Sequence, residues 1–246
     1  MIICVDLDST LLKNDLSLSD YSLNVLNKCQ NNGHLIVINT ARNYDRTIKI
    51  ARLINADYFI CNAGSQIFDR DSNLIYNEPV PKDITSKVVN YVIGLCEILS
   101  LQTDKILYTN IDREKSDRVL FKEDDSYEYN AYKILCYNLK EDISKYLDEF
   151  GLEYVNYENG KWGRISYKHL NKLFGIKKVL EKLNLYLSDV IYFGDDVGDI
   201  SCIESCGTGV AVENALPCVK EVSDFVCDSN ENDGVAKFLA MKFNIE

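Results

Sequence analysis

The sequence predicts an α/β protein, a parallel-sheet core interrupted by one inserted α/β unit. Strand and helix patterns alternate over the first sixty residues, give way after Pro79 and Pro81 to one long helical pattern and several short strand patterns, and alternate again from about residue 169. The chain has 246 residues. That exceeds the usual single domain yet falls short of two full domains with separate cores. These observations place a discontinuous core at 1–80 plus 169–246 and an insert at 81–168.

Residues 2–5 form an apolar run bounded by polar residues, as in a strand buried on both faces. Over 20–31, Leu23, Leu26 and Cys29 recur at helical spacing, and Gly33 suits a C-terminal cap. A strand at 35–38, a helix at 44–54 and a strand at 58–61 follow. Asp71-Ser72-Asn73 favours a turn between strands 66–68 and 74–76. In the insert, Val88, Val92, Cys96 and Leu99 share one face of a helix read over 83–100. Strand patterns occupy 106–109, 118–121, 132–137, 153–157 and 164–167, with a helix at 141–150, so antiparallel pairing is expected. The core resumes with a helix at 173–183, a strand at 190–193, a helix after Asp199 and a strand at 209–212.

Composition narrows the function. With 46% hydrophobic and 26% charged residues the chain reads as globular. No stretch approaches the roughly 18 apolar residues of a membrane span. The N-terminus lacks the basic start and apolar run of a secretory signal, so a cytoplasmic location is expected. The nine cysteines sit mostly in apolar runs such as Phe59-Ile60-Cys61 and read as reduced core residues. A net charge of −11 with no basic run argues against nucleic acid. Any phosphate site must therefore gather local positive charge from backbone N–H groups, a lysine or a metal.

Ligands of open parallel sheets bind beyond the C-terminal ends of the strands. Here those ends run into Asp6-Leu7-Asp8-Ser9-Thr10, Asn39-Thr40-Ala41-Arg42, Asn62-Ala63-Gly64 and Gly194-Asp195-Asp196-Val197-Gly198-Asp199. Carboxylates crowded on one edge repel unless a cation joins them, and an all-oxygen set suits Mg2+. His34 and His169 are isolated, and no Cys/His spacing resembles a zinc site.

Asp6-Leu7-Asp8-Ser9-Thr10, Thr40, Lys172 and Gly194-Asp195-Asp196-Val197-Gly198-Asp199 resemble the four ordered motifs of the haloacid dehalogenase superfamily. The insert's position, the run Gly209 to Ala215 and Asp233-Gly234-Val235-Ala236 resemble its Cof-like branch with a type IIB cap. The resemblance implies a Rossmann-like core with an α/β cap, and a magnesium-dependent phosphatase. In it Asp6 is the nucleophile that forms an aspartyl-phosphate, and Asp8 is the general acid and then base. Thr10 orients the loop. The metal is held by a carboxylate oxygen of Asp6, the backbone carbonyl of Asp8 and Asp195, with Asp199 another ligand or an orienting group. Phosphate is held by the Thr40 hydroxyl, the backbone N–H groups of Leu7 and Ala41, and the Lys172 ammonium.

Ser9 and Ala41 stand where the family commonly has Gly, and Gly198 where it often has Asn. Loss of that amide removes a hydrogen bond of about 1 kcal/mol. Gly194 is read as permitting a tight turn off its strand, and Arg42 either as reaching the substrate or as pairing with an acid. In the cap, Tyr108, Tyr127, Tyr129, Tyr132 and Trp162 are aromatic residues for packing or for stacking on a substrate. The expected partner is a small phosphorylated metabolite, a sugar phosphate or phosphorylated cofactor. Alternatives are a sugar phosphomutase and a catalytically silent phosphate-binding module. Oligomeric state is not legible; a monomer is the default.

Overall fold

The computed structural model describes residues 1–103, 107–110, 129–157 and 160–245, and the backbone of 118–120. The chain forms two compact units, residues 1–77 with 171–246, and residues 78–170.

The first unit is built on an eight-stranded sheet: β1 (Ile2–Val5), β2 (Leu35–Asn39), β3 (Tyr58–Cys61), β4 (Gln66–Asp69), β5 (Leu74–Asn77), β12 (Val190–Gly194), β13 (Thr208–Ala211) and β14 (Phe225–Val226). Spatial order is β14-β13-β12-β1-β2-β3-β4-β5. The strands from β14 to β3 run parallel, and β4 and β5 continue antiparallel. Every residue of β1 is buried, as a strand covered by helices on both faces must be. Because β1 is central and pairs with both β2 and β12, the loops after β1 and β12 adjoin where the strand order reverses.

Helices α1 (Asp20–Asn31), α2 (Tyr44–Leu53), α5 (Lys172–Leu183), α6 (Ile200–Ser205), α7 (Pro217–Glu221) and α8 (Gly234–Phe243) complete this unit. Ser19 caps α1 by accepting from the Ser22 N–H, and Gly33 follows it at φ +81°, where a glycine is unstrained. The core joins Cys4, Val5, Leu26, Ile38, Ile60, Tyr192, Phe193, Val210 and Leu239.

The second unit contains α3 (Lys82–Val92), β6 (Ile98–Gln102), β7 (Leu107–Thr109), β8 (Arg118–Leu120), β9 (Lys133–Tyr137), α4 (Ser144–Asp148), β10 (Leu152–Tyr157) and β11 (Trp162–Tyr167). Its sheet runs β10-β11-β9-β6-β7-β8, antiparallel except between β7 and β8. The helix expected over 83–100 ends at Val92, and Ile98–Gln102 is a central strand. Val88, Val92, Cys96 and Leu99 do share one apolar cluster, but Leu99 enters it from a strand, opposite Cys136 of β9. Spacing alone could not separate one helix from a helix, a turn at Gly94 and a strand.

Two parallel sheet neighbours and an inserted mixed unit make this the Rossmann-like core with an α/β cap that the sequence predicted. Of the nine cysteines, seven are buried as expected, whereas Cys218 is exposed and Cys227 partly so. Among the described residues no helix is long and apolar enough to cross a membrane. Tyr108 and Tyr132 are buried, Tyr129 is exposed and stacks on Tyr108 at 4.8 Å, and Tyr127 lies outside the described residues.

Candidate active site

Asp6 ends β1. Its backbone N–H donates to the Phe193 carbonyl (3.1 Å), and its side chain is buried at the sheet edge. The following residues, Leu7–Leu11, form a kinked turn that sequence periodicity does not reveal, with Asp8 extended and Ser9 at φ +56°. Two distant side chains secure this loop. Asn214 Nδ2 donates to the Ser9 carbonyl (2.7 Å) and Asn230 Nδ2 to that of Leu12 (2.9 Å). Asn214 entered the sequence reading only as part of the run Gly209 to Ala215 and Asn230 not at all, because only the tertiary fold brings them to residues some two hundred positions away.

Lys172, at the start of α5, is buried with its Nζ between two carboxylates, 2.7 Å from Asp6 Oδ1 and 2.7 Å from Asp199 Oδ1. Buried Asn39 anchors it by donating to the Lys172 carbonyl (3.0 Å). Asp199 accepts four hydrogen bonds. Oδ1 takes Lys172 and the buried Tyr192 hydroxyl, and Oδ2 takes the N–H groups of Asp195 (3.3 Å) and Asp196 (3.2 Å). Gly194 makes room for it: a Cβ there would lie 2.5 Å from Cβ and Cγ of Asp199. Close approach of a carboxylate, rather than a tight turn, is thus what requires glycine. Tyr192 was also unmarked in the sequence, where it reads as one more residue of an apolar strand.

Asp195 follows β12, and its Oδ1 accepts from the Thr10 hydroxyl (2.8 Å). Thr10 therefore ties the first loop to the fourth. Asp196 caps the next turn by accepting from the Val197 N–H and is exposed. Apart from its own stretch of chain, nothing lies within 4 Å of where a Gly198 side chain would begin.

Thr40 is fully buried after β2, and its Oγ1 accepts from the Arg42 N–H (3.1 Å). Arg42 reaches back to Asp8 in a two-pronged ion pair, Nε to Oδ2 at 2.8 Å and Nη2 to Oδ1 at 2.5 Å. This settles its pairing in the free protein and raises its pKa through that hydrogen bond. The Asp8 side chain is half exposed and points to Arg42, while Asp6, Asp195 and Asp199 form the inward cluster, with ligand atoms all within 4.8 Å of one another.

Three carboxylates against one ammonium leave an excess of negative charge. Burial pushes Asp6 up to about 8, against the pull of Lys172 and with added repulsion from Asp199 and Asp195. Asp195 rises to about 6, chiefly by burial. Burial works against the Lys172 charge, but Asp199 and Asp6 outweigh it and raise its pKa. One ammonium cannot compensate two carboxylates, and the shortfall falls on Asp6. A hard divalent cation fits this all-oxygen cluster and its uncompensated charge.

The family model for haloacid dehalogenase-like hydrolases matches residues 3–239. The chain belongs to the haloacid dehalogenase-like hydrolases. It is 25% identical over 277 aligned positions to a 5-amino-6-(5-phospho-D-ribitylamino)uracil phosphatase, YitU of Bacillus subtilis, covering 99% of this chain and 98% of the relative. A second such phosphatase of that organism, YcsE, is 27% identical, with 96% and 93% covered. In structure it is similar to a haloalkanoate-superfamily phosphatase from Bacteroides thetaiotaomicron, with a TM-score of 0.84 at 20% identity, covering 100% and 95% of the two chains. Like the phosphatases of this superfamily, the protein is a phosphatase-type hydrolase whose acidic cluster ends the strands of a Rossmann-like core.

Proposed function

We propose that this haloacid dehalogenase-like hydrolase is a magnesium-dependent phosphatase that cleaves a small organic phosphomonoester through a phosphoryl group carried on Asp6. The observation that carries the reading is the burial of Asp6 at the end of the central strand, against Lys172 and within the cluster it shares with Asp195 and Asp199. The relatives that act on a phosphorylated ribitylamino-uracil support a phosphomonoester with a polar organic alcohol.

Asp6 attacks phosphorus, forming an acyl-phosphate O–P bond as the P–O bond to the alcohol breaks. Asp8 delivers a proton to the departing oxygen, then takes one from the water that attacks phosphorus and releases Asp6 and inorganic phosphate. In the free protein Asp8 is held by Arg42, so delivering a proton requires this pair to open when the ester arrives. Lys172 neutralises developing charge on the phosphoryl oxygens. Thr40 and the backbone N–H groups of Leu7 and Ala41 hold those oxygens.

Asp6, Asp195 and the Asp8 backbone carbonyl would hold Mg2+, which when bound supplies charge neutralisation to the nucleophile and the phosphoryl group. Asp199, with four donors already on its two oxygens, acts by aiming Lys172 and bracing the loop of Asp195. Phosphate release from sugar phosphates, flavin mononucleotide, pyridoxal phosphate and p-nitrophenyl phosphate tests the reading. Turnover that vanishes with a chelator and in Asp6→Asn is expected; turnover that persists in Asp6→Asn overturns it.

A further inference from the structure

Arg42 lies between β2 and α2 with its backbone fixed on both sides. Its N–H donates to Thr40 Oγ1 (3.1 Å), its carbonyl accepts from the Asn62 N–H (2.8 Å), and the next residue, Asn43, caps α2 by accepting from the Arg46 N–H. The side chain has no such anchor. In the free chain its Nε and Nη2 grip the two oxygens of Asp8, while its Nη1 reaches the Arg46 carbonyl only at 3.5 Å, the far limit of a hydrogen bond.

The pair with Asp8 does little for the fold. The Asp8 side chain is 53% exposed, and an ion pair so open to water gains little over its hydration. The Arg42 side chain, by contrast, is only 16% exposed, and Asp6 is close enough for its charge to act on the guanidinium as well. Arg42 therefore stands beside the residue that attacks phosphorus and two positions after Thr40, whose hydroxyl is assigned to the phosphoryl oxygens. A phosphomonoester brings close to two negative charges spread over three oxygens, against the single charge on the two oxygens of Asp8. The planar fork of a guanidinium fits either acceptor, and the ester offers the greater charge.

We infer that Arg42 exchanges partners when the ester binds, leaving the Asp8 carboxylate for the phosphoryl oxygens. One side chain then both anchors the phosphoryl group and controls where Asp8 is: tied back while the site is empty, released once there is a leaving group to serve. The inference deepens the phosphatase reading and rests on it for the use made of the released Asp8; the exchange itself is an anion-binding event that needs no turnover.

The full chain with Mg2+ is titrated calorimetrically with inorganic phosphate, which carries the anion without a leaving group. Arg42→Gln is expected to weaken phosphate by about tenfold to a hundredfold, the loss of charge-assisted hydrogen bonds, with Arg42→Lys between the two. Asp8→Asn is expected to tighten phosphate, because the guanidinium no longer has a carboxylate to leave. Removal of a negative charge would tighten an anion by itself, so the double variant decides: the gain from Asp8→Asn should be about twofold to fivefold larger with Arg42 present than in Arg42→Gln. In turnover of the best ester, Arg42→Gln should raise KM far more than it lowers kcat, and the melting temperature of the free chain should stay unchanged. Unchanged phosphate affinity in Arg42→Gln, an equal gain from Asp8→Asn in both backgrounds, or a lowered melting temperature in Arg42→Gln would overturn the inference. A native chain that hydrolyses nothing overturns the phosphatase reading alone, since the phosphate titrations need no catalysis.

Discussion

Metal binding should expel a proton from Asp6, and the size of that effect follows from the charge imbalance of the cluster. In the metal-free chain Asp6 titrates near 8 and Asp195 near 6, both raised by burial first and by neighbouring carboxylates second. At pH 7 Asp6 is then about 90% protonated and Asp195 about 10%, so a cation that requires both ionised releases roughly one proton. Between pH 8 and pH 6 the protonation of Asp6 weakens Mg2+ binding by about fiftyfold and that of Asp195 by about twofold more. Together they weaken it about a hundredfold, or ~2.7 kcal/mol. Isothermal titration with MgCl2 in two buffers of different ionisation enthalpy counts the protons directly. Affinity should fall about tenfold per pH unit below pH 8 and level off above about pH 9. No proton released at pH 7, or an affinity constant from pH 6 to pH 8, would refute the assignment of Asp6 as a buried ligand short of compensating charge.

The same shift governs stability without metal. The folded carboxyl of Asp6 holds its proton up to about 8 while the unfolded one loses it near 4, so the folded state binds more protons in that window. The contribution of Asp6 therefore stabilises the metal-free fold as pH falls from about 8 toward 5, and chemical denaturation across that range reads it. Asp6→Asn should accordingly raise metal-free stability at pH 8 by about 1–3 kcal/mol while abolishing turnover. Tyr192→Phe removes one of four donors from buried Asp199 and should cost about 1–3 kcal/mol, measured by urea unfolding. Gly194→Ala puts a methyl group 2.5 Å from the Asp199 side chain and should lower both stability and kcat, whereas Gly198→Asn, with nothing beyond its own stretch of chain within 4 Å, should leave the melting temperature unchanged.

Much of the core and its site was legible because several motif residues sit directly after a buried strand, where sequence pattern and chemistry coincide. Asp6, Thr40 and Asp195 follow β1, β2 and β12 for that reason. Arg42 was visible but its partner was not, because the pairing with Asp8 depends on how two loops face each other. Tyr192 and Asn230 carried no local signal at all: a tyrosine inside an apolar strand and an asparagine in a polar turn look structural until the fold brings them to Asp199 and Leu12. The insert was least legible. Its helical and strand spacings overlap between Val88 and Leu99, and the break at Gly94 is set by the pairing of β6 with β9, which lies some thirty-five residues on.

The most direct test of the account is to acid-quench the Mg2+-loaded chain during turnover of its best phosphomonoester, digest it, and locate phosphorus by mass spectrometry. A phosphoryl group on the peptide containing Asp6, absent in Asp6→Asn and removed by hydroxylamine as an acyl-phosphate is, is the predicted result. A phosphoryl group on another residue, or turnover with no phosphorylated peptide under conditions that trap acyl-phosphates, would contradict it.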